Sequence, residues 1–113
     1  MHKLVEDVQN REGDMVSNLW VLGLLGNRGV ERELIVRELI ETVKDPEPEV
    51  RHWSIEALGK IGSNEVIPIL TDAFRFEPQA QEWVYQALRE ITGEGIGNDA
   101  TTWRNWAARR GLL

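Results

Sequence analysis

Two stretches of this chain repeat each other at a spacing of 30 residues, and that constrains the fold more than any other feature. Glu47-Pro48 precedes Val50, Trp53, Ala57, Leu58 and Ile61; Glu77-Pro78 precedes Ala80, Trp83, Ala87, Leu88 and Ile91. Both copies run on into loop residues, Gly62-Ser63-Asn64 and Thr92-Gly93. A weaker copy lies 36 residues before the first, where Leu22-Gly23-Leu24-Leu25-Gly26 matches Leu58-Gly59-Lys60-Ile61-Gly62. A sequence that repeats at this period reads as a stack of small units, each burying its apolar face against the next.

Each copy is predicted to hold two helices. Apolar residues at 50, 53, 57, 58 and 61 form one stripe of a helix, with Pro46 and Pro48 at its start, Asp45 as its cap and Gly62 at its end. A second helix carries Val66, Ile69, Leu70, Ala73 and Phe74 on one face, with Pro68 tolerated inside the first turn. The first copy has a longer second helix, from about Val30 to Lys44, with Leu34, Ile35, Leu39, Ile40 and Val43 inward. Asp99 or Thr101 caps a last helix bearing Trp103, Trp106 and Ala107, and residues 2–11 form a short leading helix with Leu4, Val5 and Val8 on one side. No segment alternates as a strand would, so the class is all-α, an α-α superhelix of about three helix pairs plus the leading helix. One domain spans 1–113: the leading helix at 2–11, a divergent first repeat at 14–44, a second at 45–76, and a third with its closing segment at 77–110.

Asp45-Pro46-Glu47-Pro48-Glu49-Val50-Arg51 followed by Ala57-Leu58-Gly59-Lys60-Ile61-Gly62 resembles the short HEAT repeat, the type seen in phycobilisome lyases and many prokaryotic proteins. Ile67-Pro68-Ile69-Leu70 fits that family's second helix, and Ile91-Thr92-Gly93 through Gly97 to Trp103 and Trp106 resembles the closing segment that often follows such repeats. The resemblance implies that the Asp before a first helix and an Arg in its first turn bond between neighbouring repeats, and Asp45 and Arg51 match that pair. The third copy has Arg75 and Gln81 at those places, so the polar ladder is not continued there. It also implies that the second helices line a concave binding side. On that row Arg37, Glu41, Asp72, Arg75 and Arg104 are the candidate partner-binding residues.

The catalytic inventory is thin. His52 stands beside Trp53 and reads as a solvated helix residue, because a metal site needs convergent ligands. Ser17, Ser54 and Ser63 have no histidine base at a shared turn, and there is no cysteine. Glu38, Glu41, Glu56 and Glu82 fit solvated helix faces better than an acid–base pair. Gly93-Glu94-Gly95-Ile96-Gly97 follows a helix instead of a strand and lacks the phosphate-loop lysine, so it reads as a flexible connection. No catalytic, metal or cofactor site is expected, and the chain is read as no enzyme.

The five tryptophans divide by position. Trp53 and Trp83 are repeat-equivalent and expected in the core, while Trp103 and Trp106 are expected to close the end of the stack. Val16, Trp20 and Leu24 align with His52, Glu56 and Lys60, then with Glu82, Gln86 and Glu90, so a stripe polar in two copies is apolar in the first. Such a patch needs a cover. The leading helix is the favoured one, and a second subunit or partner is the alternative, with weak homodimerisation through the remaining apolar ends.

Charge narrows the partners. Nineteen acids against thirteen basic residues give a net charge of -6, which disfavours nucleic acid and with it a HEAT-like DNA-repair role. Residues 1–98 carry -8 and residues 99–113 carry +2, with Arg104, Arg109 and Arg110 placed where basic charge suits a helix C-terminus or an acidic surface. No apolar run approaches the roughly 18 to 20 residues of a membrane span, and Glu6, Asp7 and Glu12 occupy the place of a signal-peptide core. The expectation is a cytoplasmic scaffold that binds a protein. The alternative, implied by the resemblance alone, is an accessory chaperone or lyase-like protein for a tetrapyrrole-binding partner.

Overall fold

Aspartate and glycine set some of the helix limits. The structure, a computed structural model, describes residues 2–62, 64–73, 80–97 and 99–112, with side chains from residue 4 onward. Within these residues the chain forms α1 (His2–Gln9), α2 (Met15–Asn27), α3 (Arg32–Thr42), α4 (Pro48–Ile61), a 3₁₀ turn (Asn64–Val66), α5 (Ile67–Ala73), α6 (Ala80–Thr92) and α7 (Ala100–Arg109), with no strand. The fold is all-α, a helical repeat as expected. Asp14 caps α2 by accepting from the Val16 and Ser17 backbone N–H groups, and Asp99 rather than Thr101 caps α7 through Thr102. Gly62 ends α4 in the left-handed conformation, at φ +73°, where its N–H reaches the Leu58 carbonyl.

Several expected limits move. The leading helix stops at Gln9 instead of 11, because Arg11 already adopts a left-handed backbone, at φ 56°. The second helix of the first copy is Arg32–Thr42, shorter than Val30–Lys44. Gly29 and Glu31, at φ 83° and 48°, turn the chain just before it, and the Lys44 and Asp45 N–H groups bond back to Glu41 and Thr42 beyond it. Asp45 is not the cap of α4. Glu47 holds that place without a side-chain bond, while the Asp45 carboxylate accepts from the Glu47 N–H and from Arg11.

The first helices α2, α4 and α6 pack side by side, and the second helices α3, α5 and α7 line the other layer. The same close crossing occurs twice. A Cβ on Gly23 would lie 3.1 Å from the Ala57 Cα, and one on Gly59 would lie 3.0 Å from the Ala87 Cα. Gly23 aligns with Gly59 and Ala57 with Ala87, so the sequence repeat is a repeat of one helix–helix contact, in which missing side chains let the backbones meet. Leu19, Leu22, Ile35, Leu39, Ile55, Leu58, Ile67, Leu70 and Leu88 fill the space between the layers, fully buried. Phe74, expected in this core, lies outside the described residues.

Two tryptophans expected in the core sit at its edge. Trp53 and Trp83 are half-buried, while Ser54 and Val84 take the inward places beside them. Ser54 can sit there because its hydroxyl donates to Thr42 Oγ1 at 2.6 Å, and Thr42 in turn reaches the Leu39 carbonyl. A buried hydroxyl so paired avoids the penalty of an unmade hydrogen bond.

Candidate functional site

The second-helix layer offers the candidate partner face. Arg37 and Glu41 project from α3 and are exposed. Arg37 lines a shallow groove of about 260 Å³ between α3 and the 3₁₀ turn, with Glu33 and Glu65 at its sides and Val36 and Ile40 at its base. Farther along the layer, exposed Asp72 of α5 and half-buried Arg104 of α7 pair at 3.5 Å. The proposed residues therefore fall into two groups, one on α3 and one bridging α5 and α7; Arg75 lies outside the described residues. Next to Glu41, burial pushes the Glu38 carboxyl above its usual range; the charge of Glu41 adds to this, against a hydrogen bond from Gln9 at 3.0 Å.

A polar tie joins the leading segment to the second repeat. Arg11 reaches both Asp45, at 2.5 Å, and Glu47, at 2.7 Å, and Arg51 donates to the Asp45 and Pro46 carbonyls. Burial disfavours a charged Asp45, whose side chain is 10% exposed, but the bonds from Arg11 and the Glu47 N–H, with the charges of Arg11 and Arg51, outweigh it. The Asp45 carboxyl is held below the usual range. The Asp45 carboxylate thus bridges to Arg11, a cation that sequence spacing did not indicate, while Arg51, the partner the resemblance implies, reaches the Asp45 and Pro46 backbone carbonyls.

His52 is not simply solvated. Its ring stacks on Trp83 of the neighbouring first helix at 4.3 Å and lies tilted against Trp53 at 5.1 Å, with Nε2 3.8 Å from Glu56. The half-buried tryptophans and the imidazole form an aromatic seam between α4 and α6. Repeat spacing pairs Trp53 with Trp83, but the sequence holds no sign that His52 would lie across from the latter.

The two ends of the stack differ. At the last, Trp103 is fully buried, donates its indole N–H to the Gly97 carbonyl, and meets Tyr85 and the edge of Trp106. Arg110 covers the Trp106 ring at 4.1 Å. The glycine-rich segment thus holds the closing tryptophan. At the first end, α1 packs on α2 and α3 and buries Val5 and Val8, yet Trp20 remains 46% exposed and Val21 36%. The expectation that the leading helix covers Trp20 fails. An 8-residue helix spans about 12 Å against about 20 Å for the 13 residues of α2, too short to cover the length of α2. Val16 and Leu24 are half-buried, as are their equivalents His52 and Lys60, so those positions flank the stack and do not form a separate stripe with Trp20.

Among the described residues no three His, Asp or Glu side chains converge as a metal site, and no helix is long and apolar enough to cross a membrane. Comparison with curated proteins and with solved structures gives no match. The family model for HEAT repeats matches residues 18–90, from α2 to the last turn of α6. HEAT repeats generally mediate protein–protein interaction or scaffolding and are typically non-catalytic. The match takes in well over half of the 113 residues and both of the recurring glycine crossings, and by it the chain belongs to the HEAT-repeat family.

Proposed function

We propose that this chain is a non-enzymatic scaffold module of the cytoplasm that docks a protein partner on its second-helix layer. The observation that carries the reading is the α3 groove, where Val36 and Ile40 form an apolar base between the charges of Glu33, Arg37 and Glu65. A base that gains from losing water, set within charges that select orientation, suits a helix or extended segment of a polar protein surface. Arg37 and Glu41 would choose the partner, and the Asp72–Arg104 pair with Arg75 would extend the contact along the layer. The tetrapyrrole alternative draws nothing from the family match, which covers repeats alone.

Affinity capture from the native host, comparing wild type with Arg37→Glu/Glu41→Lys, tests the reading. Both side chains are exposed, so the double variant should keep its melting temperature and lose the captured protein. Equal capture by both would remove this layer from consideration.

A further inference from the structure

We infer that the open side of α2 is a two-fold interface, and that its occupant is a second copy of this chain packed antiparallel through α2. The 13 residues of α2 include no charged side chain, although the chain carries a net charge of -6. Apolar residues run almost all round the helix, the pattern of a helix enclosed on every side. Yet Trp20 and Val21 are left open, with Ser17 exposed beside them.

The register of this face points to a copy of itself. Residues seven apart lie nearly two turns apart, so Asp14, Val21 and Arg28 run along one side of α2, all exposed. An antiparallel pair centred on Val21 sets each Val21 against the other and each Ser17 against the second copy's Leu25. It also brings each Arg28 to the second copy's Asp14, twice by symmetry. The Asp14 carboxylate is aimed at the start of its own helix, where it accepts from Val16, Ser17 and the Ser17 hydroxyl. Arg28 stands at the end of α2, so both charges also sit favourably in the field of two opposed helix dipoles. Two chains of like net charge can meet here because the centre is neutral and its ends are complementary. Head-to-tail stacking along the first-helix row is blocked instead. The place of Gly59, which allows the close crossing, is taken in α6 by Arg89, which leans on Tyr85.

Sedimentation equilibrium and a cysteine cross-link test this. The measured mass should rise with concentration from one chain toward two. Val21→Glu should stay at one chain with an unchanged circular dichroism spectrum, and Arg28→Asp should weaken association about tenfold or more at low salt. The chain has no cysteine, so Val21→Cys should join two copies by a disulfide under mild oxidation, while Thr101→Cys, exposed on α7, should not. A one-chain mass at every concentration would overturn the proposal. So would a two-chain mass unmoved by Val21→Glu, or cross-linking no faster at position 21 than at 101.

Discussion

The stack ends differently at its two extremities, although each end has a tryptophan-bearing helix. At the last, α7 lays Trp103 and Trp106 over the core; Tyr85 and the Gly97 carbonyl meet Trp103, and Arg110 covers the Trp106 ring. At the first, the short α1 reaches only part of α2 and is tied down by polar contacts, Gln9 to Glu38 and Arg11 to Asp45 and Glu47. An aromatic side chain closes a repeat end only where helix length and phase bring a second layer over it. Where they do not, as at Trp20, the same residue type becomes available surface.

The largest test of this contrast is truncation of one tryptophan at each end. Trp103→Ala should lower folding stability by about 3 to 5 kcal/mol, through the cavity it opens, as read by denaturant unfolding. Trp20→Ala, measured where the chain is one copy, should change it by no more than about 0.5 kcal/mol. Comparable losses would mean that the two ends are built alike.

Next in size are the crossings between the ends. Gly59→Val should cost about 1 to 3 kcal/mol, because the Ala87 backbone cannot give way. Arg89→Val, at the aligned place in α6 where no further first helix follows, should cost far less. Thermal unfolding of the two variants side by side checks the order.

Much of this arrangement was legible in the sequence. The proline-anchored copies and their spacing indicate α4 and α6, and Asp99 and Gly62 mark ends that the structure keeps. Leu58 and Leu88 were expected in the core and are fully buried. Other features depend on what stands opposite, which periodicity within one helix does not carry. Ser54 is inward because Thr42 meets it, His52 is half-buried because Trp83 lies across the seam, and Arg11 finds Asp45 from 34 residues away. Repeat alignment marks Val16, Trp20 and Leu24 as the α2 stripe, but the phase of α2 against α4 turns Ser17, Val21 and Arg28 outward along with Trp20 and leaves Val16 and Leu24 half-buried. The sequence marks Arg37, Glu41, Asp72 and Arg104 on the second helices but not the groove beside Arg37, which arises between two elements.

Acid acts on both ends, by different groups. Asp45 at the first end and Asp99 at the last are both held below the usual carboxylate range. At Asp45 burial opposes bonds from Arg11 and the Glu47 N–H; at Asp99 the cause is hydrogen bonding from Thr102. A lowered folded value means that stabilisation is present above the unfolded pKa of about 3.9 and is lost as pH falls through the folded value. Arg11→Ala should therefore make the acid limb of the stability–pH curve shallower and leave the Asp99 contribution in place. An unchanged limb would show that the Arg11–Asp45 tie contributes nothing in solution.

The smallest expected effect is at Glu38. Its folded pKa is raised, so its favourable protonated form is complete below the unfolded pKa and is lost as pH rises through the folded value. Glu38→Gln can keep the contact with Gln9 and removes the repulsion from Glu41. It should raise stability at neutral pH by a few tenths of a kcal/mol, on the order of a surface charge pair. A loss of stability would place the worth of this contact in the charge itself.

The contrast between the ends is tested most directly by attenuation of the five indole resonances with a soluble paramagnetic probe, in dilute solution where the chain is a single copy. The Trp20 signal should be among the most strongly attenuated, that of Trp103 should persist, and Trp53 and Trp83 should fall between. A Trp20 indole as protected as Trp103 in the dilute chain would contradict the account, because the first end would then be closed from within.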